Sequence, residues 1–223
     1  MTEIEAAKNR HSVRSYLDKP IEADKVSRLR ALAEKCNAEG NLHLQVLEDA
    51  GDTFSRLLNR FSGLVSAPSV IACVGPDDVT LDRRIGFYGE RIVLFAQSLG
   101  LNTCWAGTFN AGRVKAEIAP GERLSIVIAV GYGANQGKAH KSKSPNQVVS
   151  GKTERPKWFL DGVKLALLAP TAINQQRFEF RLNDDDSVTL TDKKGPFSKV
   201  DMGIVQYHFE LGSGHKVKVE NFI

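Results

Sequence analysis

The stretch "RHSVRSY" at residues 10–16 places two arginines and a serine at alternate positions and ends on a tyrosine. In an extended segment, alternate side chains face the same side, so Arg10, Ser12 and Arg14 are expected to project together. Two guanidinium groups and a hydroxyl suit a phosphate, because all three donate hydrogen bonds to it. Taken alone, the stretch indicates an anion site and leaves a solvated basic turn open as the alternative.

The composition places the chain among ordinary globular proteins. Its 223 residues are 42% hydrophobic and 25% charged, enough for a substantial core. The formal net charge of +4 favours small anionic ligands, but there is no basic stripe interleaved with aromatics to indicate nucleic-acid binding. The three cysteines lie far apart, which argues against a disulfide framework and against a metal site. With no secretory signal and no apolar run near the ~20 residues of a membrane span, a cytoplasmic protein without a membrane partner is expected.

Hydrophobic periodicity predicts an α+β fold in which antiparallel-leaning mixed sheets are flanked by helices. The predicted helices cover 2–9, a segment from Ile21, a segment from Asp52, 79–100, 158 to Pro170, and 200–211. The predicted strands begin at Leu42, Ser69 and Leu124, followed by a hairpin at 178–192 and a last strand from Lys216. Residues 134–157 are polar and carry Gly, Ser and Pro, which indicates a linker or excursion.

Three further segments carry motifs. They are "AQSLGLNTCWAGTFN" (Ala96 to Asn110), "HKSKSP" (His140 to Pro145) and "LAPTAINQQRFEF" (Leu168 to Phe180). Together with R-x-S-x-R-x-[FY] at the start, they resemble the FMN-dependent nitroreductase and flavin-reductase family. Its corresponding segments read A-x-x-x-G-L-G-T-C-W-x-G, a short basic stretch, and A-P-S-A-x-N-x-Q-P-W-x-F. The resemblance is nearest to a branch with a late A-P-T-x-x-N motif, and it implies a nitroreductase-like fold. The predicted elements follow a similar order in the two halves of the chain, for which an internal duplication and chance similarity are both open explanations.

The resemblance also implies a flavin site built from separate parts of the chain. The phosphate and ribityl end would be held by Arg10, His11, Ser12 and Arg14, helped by Lys141 and Lys143. One face of the ring would be lined by Trp105, Ala106, Gly107 and Thr108. A backbone N–H of Gly107 or Thr108 would lie near flavin N5. The opposite wall would consist of Pro170, Thr171, Ala172 and Asn174.

The activity that the resemblance implies is that of an FMN-dependent oxidoreductase. NADH or NADPH would pass hydride through flavin N5 to a nitroaromatic, a quinone or a flavin-type acceptor, and no side chain is expected to act as general acid or nucleophile. Two alternatives stay open: an FMN enzyme with a dedicated metabolite substrate, and a non-catalytic flavin-binding protein. The latter is favoured by the altered triplet Gln176-Arg177-Phe178, which stands where the family has Q-P-W.

The order of the motifs departs from the family. In most members the A-P-S-A-x-N segment precedes the G-L-G-T-C-W segment, whereas here "APTAIN" follows "GLNTCW" by about sixty residues. A duplicated and fused chain would need each motif once, so we expect one FMN per chain and a monomeric pseudo-dimer, with a true homodimer as the rival. The implied parts are an N-terminal half at 1–135, a basic excursion at 136–157 and a C-terminal half at 158–223.

Overall fold

A computed structural model describes residues 1–50, 53–54 and 67–220. Within these ranges the helices are α1 (Glu3–Asn9), α2 (Ala23–Gly40), α3 (Leu81–Ser98), α4 (Lys157–Ala166) and α5 (Ser198–Ser213). The strands are β1 (His43–Leu47), β2 (Ser69–Pro76), β3 (Asn102–Ala106), β4 (Glu122–Gly131), β5 (Val149–Gly151), β6 (Phe178–Leu182), β7 (Val188–Asp192) and β8 (Lys218–Glu220). Helices and strands mix without strict alternation, so the predicted α+β fold class is confirmed.

The chain divides into two compact units that are not continuous in sequence. We call Arg10–Leu81 with Ile92–Ala139 the antiparallel unit, and Met1–Asn9 with Asp82–Arg91 and His140–Ile223 the mixed unit. Each unit holds one four-stranded sheet, and the two names describe how the strands of that sheet pair.

The sheet of the antiparallel unit has the order β1-β2-β4-β3, and every neighbouring pair is antiparallel. Strand β2 is buried along almost its whole length, and β4 is buried over its second half. Burial on both faces explains why these two segments read as continuous apolar runs rather than as alternating ones. Strand β3 is the edge strand beside β4.

The sheet of the mixed unit has the order β5-β6-β7-β8. Strands β6 and β7 form the predicted antiparallel hairpin, whereas β5 pairs with β6 and β8 pairs with β7 in parallel. Three fully buried phenylalanines form the centre of this unit, where the Phe180 ring stacks on Phe209 at 4.4 Å and Phe159 meets Phe209 edge-on at 5.8 Å. The mixed sheet is thus joined to α4 and α5 through aromatic packing.

Within the mixed unit, α3 and α5 cross at two glycines. A Cβ atom on Gly203 would lie 2.0 Å from the Arg83 carbonyl oxygen, and one on Gly86 would lie 2.1 Å from the Val200 carbonyl oxygen. Backbone therefore meets backbone at this crossing, which only glycine permits. Further along, the same helices bury the pair formed by His208 and Glu90, whose Nε2 and Oε1 atoms are 2.9 Å apart.

Most predicted elements are confirmed, although α4 ends at Ala166 rather than at Pro170. Strands β3 and β5 are not among the predicted ones, and β5 lies inside the polar stretch 134–157. The helix predicted from Asp52 falls largely outside the described residues. Among the described residues, no helix has both the length and the hydropathy that crossing a lipid bilayer requires.

Candidate functional site

The opening stretch lies extended in the antiparallel unit, beside the edge strand β3. Ser12 forms a parallel bridge with Thr103, and the Val13 N–H donates to the Thr103 carbonyl at 3.0 Å. On the other side, Tyr16 bridges Gly133 antiparallel, and Leu17 N–H donates to the Tyr132 carbonyl at 2.8 Å. Residues 10–17 are thereby fixed along the edge of the sheet.

The backbone around 133–137 is shaped to accept this stretch. Asn102 is buried, and its Oδ1 accepts the Gly133 N–H at 3.0 Å while its Nδ2 donates to Gln136 Oε1 at 3.1 Å. Gly137 has φ of +69°, and a Cβ atom there would lie 2.9 Å from the Cβ of His11. Asn102 and Gly137 thus allow the segment 133–137 to lie close to the opening stretch 10–17.

The two arginines of the stretch have different environments. Arg10 is only 4% exposed, whereas Arg14 is exposed, and among the described residues Arg14 forms no hydrogen bond or ion pair. Burial raises the pKa of the Cys104 thiol, while the charges of Arg14 and Arg10 and a hydrogen bond from Ser12 oppose that rise. Arg10, Ser12 and Arg14 are therefore within electrostatic or hydrogen-bonding reach of Cys104 on β3.

The predicted ring-facing residues continue from the same strand. Trp105 pairs with Ile128 and Ala106 pairs with Val127 on β4, and the chain leaves the sheet directly after Ala106. Gly107 is partly exposed, and Thr108 is exposed. The structure thus brings the predicted phosphate-binding stretch and the predicted ring-facing segment together in one unit.

The four residues predicted for the opposite wall, Pro170, Thr171, Ala172 and Asn174, lie in the mixed unit on the loop after α4. Three residues of this loop that are not glycine have left-handed backbones: Ile173 with φ of +48°, Asn174 with +55° and Gln176 with +45°. Such a conformation is uncommon for any L-residue and is a genuine outlier for a β-branched one such as Ile173. The loop is held from within, because Thr171 Oγ1 accepts the Gln176 N–H at 3.1 Å.

Side chains and backbone of the basic stretch fasten this loop. The carbonyl of Lys141 accepts the Asn174 Nδ2–H at 3.0 Å and the Gln176 Nε2–H at 2.9 Å. Lys143 donates its backbone N–H to Gln176 Oε1 at 2.8 Å and its ammonium to the Gln176 carbonyl at 2.7 Å. Lys141, Lys143 and Asn174 therefore form one group, and within the described residues the Lys141 ammonium has no partner.

Two residues that hydrogen-bond to predicted residues were not themselves predicted as site residues. Gln176 is 3% exposed and bonds to both lysines, and its signal in the sequence was the retained first letter of the altered Q-P-W triplet. Asp201 accepts the backbone N–H of Ala172 at 3.0 Å, and no motif in the sequence marks it. The predicted site residues thus fall into two groups, one in each unit.

Comparison with known proteins identifies the family. A family model described as "Putative TM nitroreductase" matches residues 3–213, which is nearly the whole chain. The chain belongs to that nitroreductase family. No curated protein matches the chain at a significant level.

Solved structures share the nitroreductase fold of this chain. A "putative nitroreductase" from Thermotoga maritima has a TM-score of 0.65 and 23% identity, covering 95% of this chain and 83% of its own. A nitroreductase family protein from Streptococcus pneumoniae has a TM-score of 0.52 and 16% identity, covering 67% of this chain and 99% of its own. A "Putative NADH dehydrogenase/NAD(P)H nitroreductase" from Parabacteroides distasonis has a TM-score of 0.52 and 19% identity, with coverages of 66% and 95%. The predicted nitroreductase-like fold is confirmed.

Proposed function

We propose that this member of the nitroreductase family is an FMN-dependent oxidoreductase that transfers hydride from NADH or NADPH to a nitroaromatic, a quinone or a flavin-type acceptor. The observation that carries the proposal is the position of Arg10, Ser12 and Arg14 along β3, the strand that leads into the predicted ring-facing segment. Membership of a nitroreductase family supports it, as does the printed name of the Parabacteroides distasonis neighbour.

The chemistry of the donor set fits a flavin phosphate. A guanidinium offers a rigid fork of N–H donors, and a serine hydroxyl adds a donor that brings no competing charge. Arg14 is exposed, and among the described residues its guanidinium makes no hydrogen bond or ion pair that a phosphate would have to break. Arg10, Ser12 and Arg14 would bind the phosphate, and His11 would pack beside them.

The other residues would orient the ring and exclude water from it. Trp105, Ala106, Gly107 and Thr108 would form one wall, and a backbone N–H of Gly107 or Thr108 would donate a hydrogen bond to the reacting edge. Pro170, Thr171, Ala172 and Asn174 would contribute the other wall, near Lys141 and Lys143 on the basic stretch. The bound FMN itself supplies hydride transfer at N5, so no side chain is assigned a proton-transfer role.

Flavin binding tests the proposal most directly. We expect the purified protein to show flavin absorbance or to acquire it when FMN is added. Arg14→Ala should weaken FMN binding by about 1.5–3 kcal/mol, because a charge-assisted hydrogen bond is lost. Arg113→Ala is the matched control, since Arg113 is an exposed arginine of the same unit that lies outside the predicted set. Equal affinities of the two variants would disprove the phosphate assignment, and a protein that never binds FMN would disprove the function.

Catalysis needs a separate measurement. Mixing the FMN-loaded protein with NADH or NADPH in a stopped-flow instrument should bleach the flavin absorbance, and turnover with a panel of acceptors then defines the substrate class. A yellow protein that neither nucleotide reduces would instead favour a non-catalytic flavin-binding protein. Turnover confined to one metabolite among the acceptors would favour a dedicated enzyme.

The prediction of one FMN per monomer has its own test. Light scattering gives the mass of the FMN-loaded species, and flavin absorbance gives the number of flavins in it. One flavin in a species of the chain mass of 24.5 kDa would support the fused pseudo-dimer. A species of twice that mass, without which no flavin binds, would favour the homodimer.

A further inference from the structure

A buried carboxylate on α5 accepts hydrogen bonds from the strained loop 171–176 of the mixed unit. Asp201 lies in the first turn of that helix and is 4% exposed. Its Oδ1 and Oδ2 accept the Ala172 N–H at 3.0 and 3.2 Å, and Oδ2 also accepts the Gln175 Nε2–H at 2.7 Å. The same Gln175 nitrogen donates to the Pro196 carbonyl at 2.8 Å, so both of its hydrogens are used. In each of these contacts, an oxygen of the Asp201 carboxylate accepts an N–H of the loop.

Ile173 does not gain burial from its strained backbone conformation. The Ile173 side chain is 87% exposed although its backbone is left-handed, so its strain is not offset by packing of that side chain. Strained residues persist only where the surroundings hold them, and they concentrate at ligand-binding sites. Here the surroundings are Asp201 on one side and the Lys143–Gln176 contacts on the other.

We propose that Asp201 is a positioning residue, whose ionised carboxylate holds loop 171–176 in the conformation required for flavin binding and whose protonation releases that loop. The proposal rests on the proposed function, since this loop carries Thr171, Ala172 and Asn174 of the predicted flavin wall. A protonated carboxyl turns one of its acceptors into a donor. A neutral carboxyl also accepts weaker hydrogen bonds than a carboxylate does, so protonation weakens the contacts with Ala172 and Gln175.

The release falls within the physiological pH range. Burial, with a smaller contribution from the negative charge of Asp192, raises the pKa of Asp201 from its ordinary 3.8 to about 7. The hydrogen bonds from Gln175 and Ala172 oppose this rise. Asp192, at the end of β7, is itself buried and accepts the Ser198 hydroxyl at 2.8 Å and the Lys194 N–H at 2.6 Å. Its hydrogen bonds go to neither Ala172 nor Gln175, so it acts on the loop through Asp201.

The test is the pH dependence of FMN affinity in three proteins, measured by fluorescence titration between about pH 5.5 and pH 8.5. In the wild type, affinity should fall about tenfold on acidification, with its midpoint near neutral pH. Asp201→Asn should bind FMN about tenfold more weakly at high pH and show no such midpoint, because its amide places a donor against a donor. The FMN phosphate titrates near pH 6 in every protein, so the Asp201→Asn profile gives the part of the pH dependence that the phosphate contributes.

Asp192→Asn provides the decisive second variant. It should keep the affinity at high pH and move the midpoint to lower pH, because removing the charge of Asp192 favours ionisation of Asp201. Identical pH profiles in all three proteins would overturn the positioning role while leaving FMN binding intact. A wild type that binds no FMN at any pH would instead overturn the proposed function. Far-UV circular dichroism establishes that each variant is folded.

Discussion

Replacing Asp201 by asparagine should change how the stability of the fold depends on pH. The pKa of Asp201 is raised in the folded state to about 7 from its ordinary 3.8, mainly by burial. The folded state therefore binds the proton more tightly than the unfolded state does. The resulting stabilisation is fully present below pH 3.8 and is lost as the pH rises towards 7. The asparagine variant has no proton to lose at this position, so it lacks this dependence.

The two pKa values give the size of the effect. At 1.36 kcal/mol for each tenfold change in proton affinity, the full range corresponds to about 4 kcal/mol. Between pH 5 and pH 8, where folded proteins are conveniently measured, more than half of this stabilisation is lost. The unfolding free energy of the wild type, relative to that of Asp201→Asn, should therefore fall by about 2–3 kcal/mol over this range. Urea denaturation followed by circular dichroism at several pH values measures the difference directly.

Asp185→Asn is the control for this experiment. Asp185 is exposed in the β6–β7 turn, and hydrogen bonds from Ser187 lower the pKa of its carboxyl. It stays ionised throughout the range, so its replacement should leave the pH dependence of the wild type unchanged. A constant difference between wild type and Asp201→Asn would refute the reasoning. A difference that grows with pH would show that the contacts with Ala172 and Gln175 outweigh burial and lower the pKa of Asp201.

Three further predictions concern packing within each of the two units. Gly203→Ala should destabilise the protein by about 3 kcal/mol in urea unfolding, because its Cβ would lie 2.0 Å from the Arg83 carbonyl oxygen; an unchanged midpoint would contradict the close crossing. Glu90→Leu should cost about 3–5 kcal/mol in the same assay, because it leaves the fully buried His208 without its carboxylate partner; a loss below about 1 kcal/mol would contradict this. All three cysteines are buried, so a thiol reagent should label none of them rapidly in the folded protein and all of them in urea; rapid labelling of the native protein would contradict their burial.

The sequence predicts the elements with long, regular hydrophobic patterns and misses those that depend on a neighbour. Helix α3 and strand β4 are recognisable by period and by apolar content. Strand β3 has five residues of mixed polarity, and its extended form depends on pairing with β4 and on the bridge from Ser12 to Thr103. Strand β5 has three residues in a polar stretch and is defined by its parallel pairing with β6. Such pairing joins segments that are distant in the sequence, so no local sequence pattern predicts it.

The candidate site is predictable to the extent that motifs describe it. Alternation correctly indicates an extended stretch at 10–16, and the resemblance to the family groups the other residues. Asp201 carries no such signal, because "VDMGIV" reads as part of an amphipathic helix in which a carboxylate is expected to face solvent. That part of α5 is instead buried from Val200 to Val205, and the carboxylate faces the loop. Its role follows only from where the fold places Ala172 and Gln175.

Protonation of Asp201 should change the stability of the fold and the flavin-binding conformation of loop 171–176 in opposite directions. Above pH 7 its buried charge destabilises the folded state, yet the charged form accepts the hydrogen bonds of the loop more strongly than the neutral form does. Acidification should therefore strengthen the fold and weaken flavin binding at the same time. If Asp201 affected flavin binding only through the stability of the fold, acidification would strengthen the fold and flavin binding together, because unfolding releases the ligand. Opposite signs, measured on one protein across one pH range, would identify Asp201 as a residue that is retained for the loop at the expense of stability.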